Sequence, residues 1–107
     1  MQEPGLDRHE WETEWQDLEE RLADDPYDAL FELDDLVARM MEARGLPLEE
    51  REAQNETEPE TVRQFVEARR ITRRVGDGEE VDPGDVGFAV NAYRELYGVL
   101  LESGLDR

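Results

Sequence analysis

Trp11, Trp15, Leu18 and Leu22 recur at i, i+4, i+7 and i+11, while Glu12, Glu14, Asp17, Glu19 and Glu20 fill positions between them. That spacing lines one face of a helix and predicts an amphipathic segment over about 9–23. A second stripe, Leu30, Leu33, Val37 and Met40, is widened by Ala29, Leu36 and Met41, with Tyr27 and Phe31 near its start, and predicts a helix over 26–44. Val62, Phe65, Ala68, Ile71 or Thr72, and Val75 give the inner face of a third, over 58–75. Val86, Val90, Tyr93, Tyr97 and Leu100 repeat at spacings of 4, 3, 4 and 3, thickened by Ala89, Leu96 and Leu101. This fourth helix, over 83–102, is the expected spine of the core.

The punctuation between stripes agrees with these limits. Asp24-Asp25-Pro26 closes one helix and opens the next, with Asp25 as N-cap and Pro26 at the first helical position, where its missing N–H costs nothing. Gly45, with Pro47 behind it, ends the second helix. In Thr57-Glu58-Pro59-Glu60 the Thr57 hydroxyl can accept from the Glu60 N–H while Glu60 reaches back, a capping box. Gly76-Asp77-Gly78 ends the third helix, Asp82-Pro83 repeats the earlier start signal, and Asp85 sits near the positive end of the helix dipole. Residues 46–57 have no sustained period and read as a polar, mobile connection with room for one helical turn in 47–53; residues 1–8 read as a frayed terminus. No period-2 run rich in β-branched residues argues for a sheet. The expected fold is all-α, a single up-and-down bundle of four helices forming one domain over 1–107, because so short a chain supports one core.

Composition narrows the function. Hydrophobic residues at 37% against charged residues at 39% leave enough apolar material for a bundle and argue against global disorder. Without cysteine there are no disulfides, thiolate metal sites or cysteine nucleophiles. The acidic start MQEPGLDRHE lacks the features of a signal peptide, and no run approaches the ~18 apolar residues of a membrane span, so the expected location is the cytoplasm. Thirty acidic residues oppose 12 arginines and no lysine, for a net charge of −18. Such a chain repels phosphate backbones and anionic membranes, so direct nucleic-acid and membrane binding are not expected. The acid excess also suits a salty cytoplasm. Its distribution is uneven: residues 1–25 carry −8, residues 26–57 −6, residues 76–107 −6, and residues 58–75 alone are basic at +2.

Two stretches, Trp15–Met41 and Gly78–Leu101, resemble an uncharacterised family of small helical proteins common in high-GC bacteria. The first carries Trp15, Asp24-Asp25-Pro26, Ala29-Leu30, Leu33-Asp34 and Leu36-Val37; the second carries Gly78-Glu79, Asp85-Val86, Ala89-Val90, Tyr93-Arg94, Leu96-Tyr97 and Leu100-Leu101. The resemblance covers about half the chain. It implies a helical architecture and no known reaction, since its positions are mostly caps and core. Residues 42–75, with their polar connection and arginine-rich helix, depart from the family pattern, which has a more regular helix ending near a tryptophan.

Candidate chemistry is sparse. His9, the sole histidine, stands in a polar terminus with no serine, cysteine or second histidine around it, a poor setting for acid–base work. No Glu-x-x-His or His-Glu-x-x-His pair occurs, and GDGEEVDPGD lacks the central glycine and terminal glutamate of an EF-hand loop, so no metal or cofactor is expected. Asp34 lies among Leu30, Leu33, Val37 and Met41, and a half-buried carboxylate needs a partner, expected to be an arginine such as Arg94 or a hydroxyl such as Tyr93. Arg69, Arg70, Arg73 and Arg74 form two i, i+4 ladders, a cationic ridge that either neutralises acidic neighbours and the helix C-terminus or docks an acidic partner. Trp11 and Trp15 are either core residues or interface anchors, which makes self-association through the first helix a second possibility. The function expected is that of a non-enzymatic cytoplasmic interaction protein, adaptor or regulator, acting through an exposed helix face. The alternatives are an acidic nucleic-acid mimic or antitoxin-like neutraliser of a basic partner and, last, an enzyme with a carboxylate site in the bundle core.

Overall fold

A computed structural model describes residues 4–46, Leu48 and residues 59–103. It contains four helices: α1 (Pro4–Asp24), α2 (Pro26–Ala43), α3 (Pro59–Gly76) and α4 (Pro83–Ser103). There is no strand among the described residues, and no helix is long and apolar enough to cross a membrane. The expected all-α bundle is the fold found. One limit moves substantially: α1 begins at Pro4, so residues 4–8, expected to fray, are helical. Pro4 occupies the first helical position, which suits its fixed φ, and an Arg8–Glu12 i, i+4 ion pair at 3.2 Å supports the first turns. The predicted connection 46–57 and the Thr57 half of the capping box lie, apart from Leu46 and Leu48, outside the described residues.

The helix ends follow from local chemistry. Asp25, in extended conformation, accepts from the Asp28 N–H at 3.2 Å, capping α2 with Pro26 just inside it. At the other end Gly45 adopts φ +76°, the Leu46 N–H reaches the Met41 carbonyl at 2.9 Å, and the Gly45 N–H reaches Glu42 at 3.0 Å. This 6→1, 5→2 pairing is the Schellman motif. It recurs after α3, where Gly78 has φ +82°, its N–H reaches Val75 at 3.1 Å and the Glu79 N–H reaches Arg74 at 3.1 Å.

The cross-bonds define the arrangement. Ion pairs Arg21–Glu32 and Arg39–Glu14 hold α1 antiparallel to α2. The Trp15 ring stacks on Tyr97 at 4.2 Å and 7°, and Arg94 pairs with Glu19 at 3.1 Å, so α1 is also antiparallel to α4. Running parallel, α2 and α4 are tied by the Tyr27 hydroxyl donating to the Val81 carbonyl at 3.0 Å and by Arg44 donating to the Leu100 carbonyl at 2.7 Å. On the far side α3 packs antiparallel to both, with Arg69 against Asp34 on α2 and Gln64 against Glu95 on α4. The cross-section is thus a rhombus with α2 and α4 on its short diagonal, which fits molecular extents of 42 × 33 × 18 Å.

Burial follows from that layout. The central pair supplies Leu30, Leu33, Leu36, Val37, Met40 and Met41 from α2 and Tyr93, Leu96 and Leu100 from α4, each with essentially no exposed surface. Among the α1 residues whose burial is described, from Arg8 on, Leu18 and Leu22 are buried, with Trp11 and Trp15 half-covered at its joints. The spine of the core is therefore shared by α2 and α4 rather than carried by α4 alone.

Candidate functional site

Where α2, α3 and α4 meet, the apolar core holds one polar cluster. Asp34 retains 8% of its surface exposed, and its Oδ2 accepts from the Tyr93 hydroxyl at 2.8 Å. Arg69 reaches Oδ1 through Nη2 at 2.9 Å, with Nε at 3.2 Å from Oδ2. The Thr72 hydroxyl lies 2.7 Å from that of Tyr93 and 3.0 Å from the Ala68 carbonyl. A carboxylate only accepts, so the Tyr93 proton goes to Asp34; Thr72 must then donate its own proton toward Tyr93, sharing it with Ala68. Burial, reinforced by the adjacent Asp34 charge, holds the Tyr93 hydroxyl protonated far above the usual tyrosine range. Every member has a partner, so the cluster rigidifies the junction.

The expected hydroxyl partner of Asp34, Tyr93, is in place, but the arginine is not Arg94. Arg94 lies on the other side of α4 and pairs with Glu19 on α1. Arg69 takes its place because it follows Phe65 by four residues and precedes Thr72 by three, on the edge of the α3 face turned toward α2.

This removes Arg69 from the free ridge. Among its neighbours, Arg70 pairs with Glu67 at 3.1 Å, and Arg74 pairs with Glu79 at 3.2 Å and Asp85 at 3.9 Å. Arg73, exposed in the last turn of α3, makes no ion pair among the described residues. The four arginines, with Leu48 and Val66, line an open cavity of about 540 Å³. A second of about 480 Å³ adjoins it, sharing Arg69, Arg73 and Asp77 and reaching Asp34 and Phe31. Together they form one trough along α3, with Leu48 and Val66 in one part, Phe31 in the other, and arginines interspersed with Asp34 and Asp77.

Phe31 is 41% exposed, against 53% for Phe88, and its position is set by a glycine. A Cβ on Gly76 would stand 3.2 Å from Phe31 Cε1, so the ring lies against the end of α3 because no side chain is there. The periodicity of α2 placed Phe31 near its core stripe. Its role as a rim residue shows only once α3 is docked.

The two tryptophans are committed elsewhere. Trp15 stacks on Tyr97, and Trp11 is half-buried with the Arg39 guanidinium 5.9 Å from its ring centre. Both close the joints of α1. His9 is exposed, and no group of three or more His, Cys, Asp or Glu side chains among the described residues is placed to hold a metal ion. No known protein family, characterised protein or solved structure matches the chain.

Proposed function

We propose that this protein is a non-enzymatic, cytoplasmic interaction protein, an adaptor or regulator, that docks a protein partner along the α3 trough. The observation that carries the reading is Arg73: a guanidinium with no ion pair among the described residues, set with Asp77 between apolar rims in a molecule of net charge −18. Other arginines among the described residues have partners within the fold. Arg21, Arg39, Arg44, Arg69 and Arg94 each tie one helix to another. A cation that the bundle does not use, beside a large exposed aromatic ring, has the composition of an interface centre.

The acidic-mimic alternative asks for rows of bare carboxylates. Glu14, Glu19, Glu32 and Asp35 are taken up in ion pairs with arginines, whereas Glu10, Asp17, Glu20 and Asp24 stand exposed along α1 with no ion pair among the described residues, so the mimic stays as the second reading.

The test is affinity capture from native lysate with wild type and with Arg70→Gln/Arg73→Gln. Arg69 and Arg74 are left intact, because replacing Arg69 would disturb the buried cluster and confuse binding with folding. A partner retained by wild type and lost from the double variant supports the reading. A partner held equally by both places the contact elsewhere, and retention of nothing above background by either counts against an interaction role.

A further inference from the structure

From the order of chemistries along the trough, and resting on the docking reading above, we infer the class of its occupant: an acidic amphipathic peptide segment with carboxylates between two apolar anchors. One end of the trough is floored by Val66 and Leu48, the other is walled by the Phe31 ring against Gly76, and Arg73 lies between with Arg70 and Arg69 beside it. Val66 to Gly76 is ten residues of helix, ~15 Å at 1.5 Å per residue. The complementary ligand carries an apolar side chain at each end of a stretch of that length and Asp or Glu in the middle. Presented as a helix, its anchors fall seven to eleven residues apart on one face, with the acids one or two turns inside them.

Three features select this class over a free anion. The two rims are apolar and gain nothing from phosphate. Asp77 and Asp34 also line the trough, and they oppose a dense, multiply charged anion more than single carboxylates spaced along a peptide. Arg69 is held in one orientation by its two-point contact with Asp34, so its outer edge is a fixed surface rather than a mobile charge. Charge complementarity is local and rests on Arg73: Arg69, Arg70 and Arg74 are held by Asp34, by Glu67 and by Glu79 with Asp85, and at about 0.15 M salt, where charges beyond ~8 Å are largely screened, a carboxylate lying beside Arg73 meets that guanidinium while the acid excess on α1 is remote.

The occupant is tested by selecting a displayed random peptide library, of about 12 residues per member or ~18 Å as a helix, on the full chain at about 0.15 M salt. The expected outcome is enrichment of peptides with Asp or Glu flanked at both ends by Leu, Ile, Phe or Trp. A synthetic peptide of the winning pattern then shifts the backbone amide signals of Phe31, Arg69, Arg73 and Gly76, and binds at least tenfold more weakly to Arg73→Gln and to Phe31→Ala, each checked to retain the wild-type helical circular dichroism and a cooperative urea transition before binding is measured. Enrichment of basic peptides overturns the inference while leaving an interaction role intact on the acidic faces. Acidic peptides that bind both variants as well as wild type overturn it too, as would sodium phosphate alone producing the same amide shifts. A library that yields nothing overturns the inference, while the docking reading stands or falls separately on the lysate capture with Arg70→Gln/Arg73→Gln.

Discussion

Asp34 is the residue whose replacement most sharply separates the buried cluster from ordinary surface electrostatics. Asp34→Ala removes the acceptor of the Tyr93 hydroxyl and both contacts to Arg69. Removing one partner of a buried pair costs about 3–5 kcal/mol. The Arg69 side chain keeps a quarter of its surface exposed and the orphaned Tyr93 still faces Thr72, so the lower end, about 3 kcal/mol, applies. For a chain of this size that lowers Tm by roughly 12–18 °C. Tyr93→Phe deletes one hydroxyl and leaves the Asp34–Arg69 pair whole, for about 1 kcal/mol. The informative comparison is Asp34→Leu/Arg69→Met, which removes both charges together and is expected to recover to within about 1 kcal/mol of wild type, as apolar replacements of buried pairs often do. The assay is urea unfolding followed by helical circular dichroism at neutral pH and fixed salt. If Asp34→Ala cost less than ~1 kcal/mol, the pair would be no better than a surface contact; if the apolar double variant were weaker than Asp34→Ala alone, the assignment of Arg69 as partner would be refuted.

Four further outcomes follow from the same contacts. Because Tyr93 stays protonated in the folded state far above its unfolded value, the folded state binds more protons at alkaline pH; stability is fully present below pH ~10 and falls above it by up to ~1.4 kcal/mol per pH unit. Tyr93→Phe removes most of that fall, which paired urea titrations between neutral and strongly alkaline pH would check. Replacing Trp15 with alanine deletes the stack on Tyr97 and costs about 3 kcal/mol, with loss of tryptophan emission as a second readout. Gly45→Ala forces a side chain into a left-handed conformation and destabilises by about 1 kcal/mol, whereas Gly87→Ala and Gly98→Ala, where an added Cβ meets nothing within 4 Å, stabilise by roughly 0.5–1 kcal/mol each. Gly76→Ala crowds the Phe31 ring; a shifted Phe31 ring signal with little change in stability is the expected result.

The elements were largely readable because their signals are local. Asp25-Pro26 and Asp82-Pro83 start helices through side-chain and ring geometry confined to a few residues, and Gly45 and Gly78 end them through one dihedral angle each. Asp34 was readable as a buried carboxylate because its stripe neighbours are apolar on both sides. Its arginine was not, since the choice between Arg69 and Arg94 depends on how α3 is rotated about its axis, and helical periodicity gives spacing within a helix but no register across helices. Phe31 was hidden for the same reason: the glycine that admits its ring lies 45 positions further along the chain. The tryptophans read as either core or anchor, and only the Tyr97 stack and the Arg39 contact place them at joints.

The rhombic arrangement also sets the order in which the molecule comes apart. With α2 and α4 on the short diagonal, α1 and α3 sit on opposite sides, and from Arg8 on the apolar contribution of α1 is Leu18, Leu22 and two half-covered tryptophans. Ion pairs Arg21–Glu32, Arg39–Glu14 and Arg94–Glu19, all solvent-accessible, supply the rest of its attachment and weaken as salt rises. Helix α1 is consequently the lowest-energy cooperative unit of opening, a foldon that can detach while the three remaining helices keep the Asp34 cluster and the trough assembled. Its amides should exchange with deuterium before those of α2 and α4, and a partner bound at α3 would be held through an opening that leaves its own binding surface untouched.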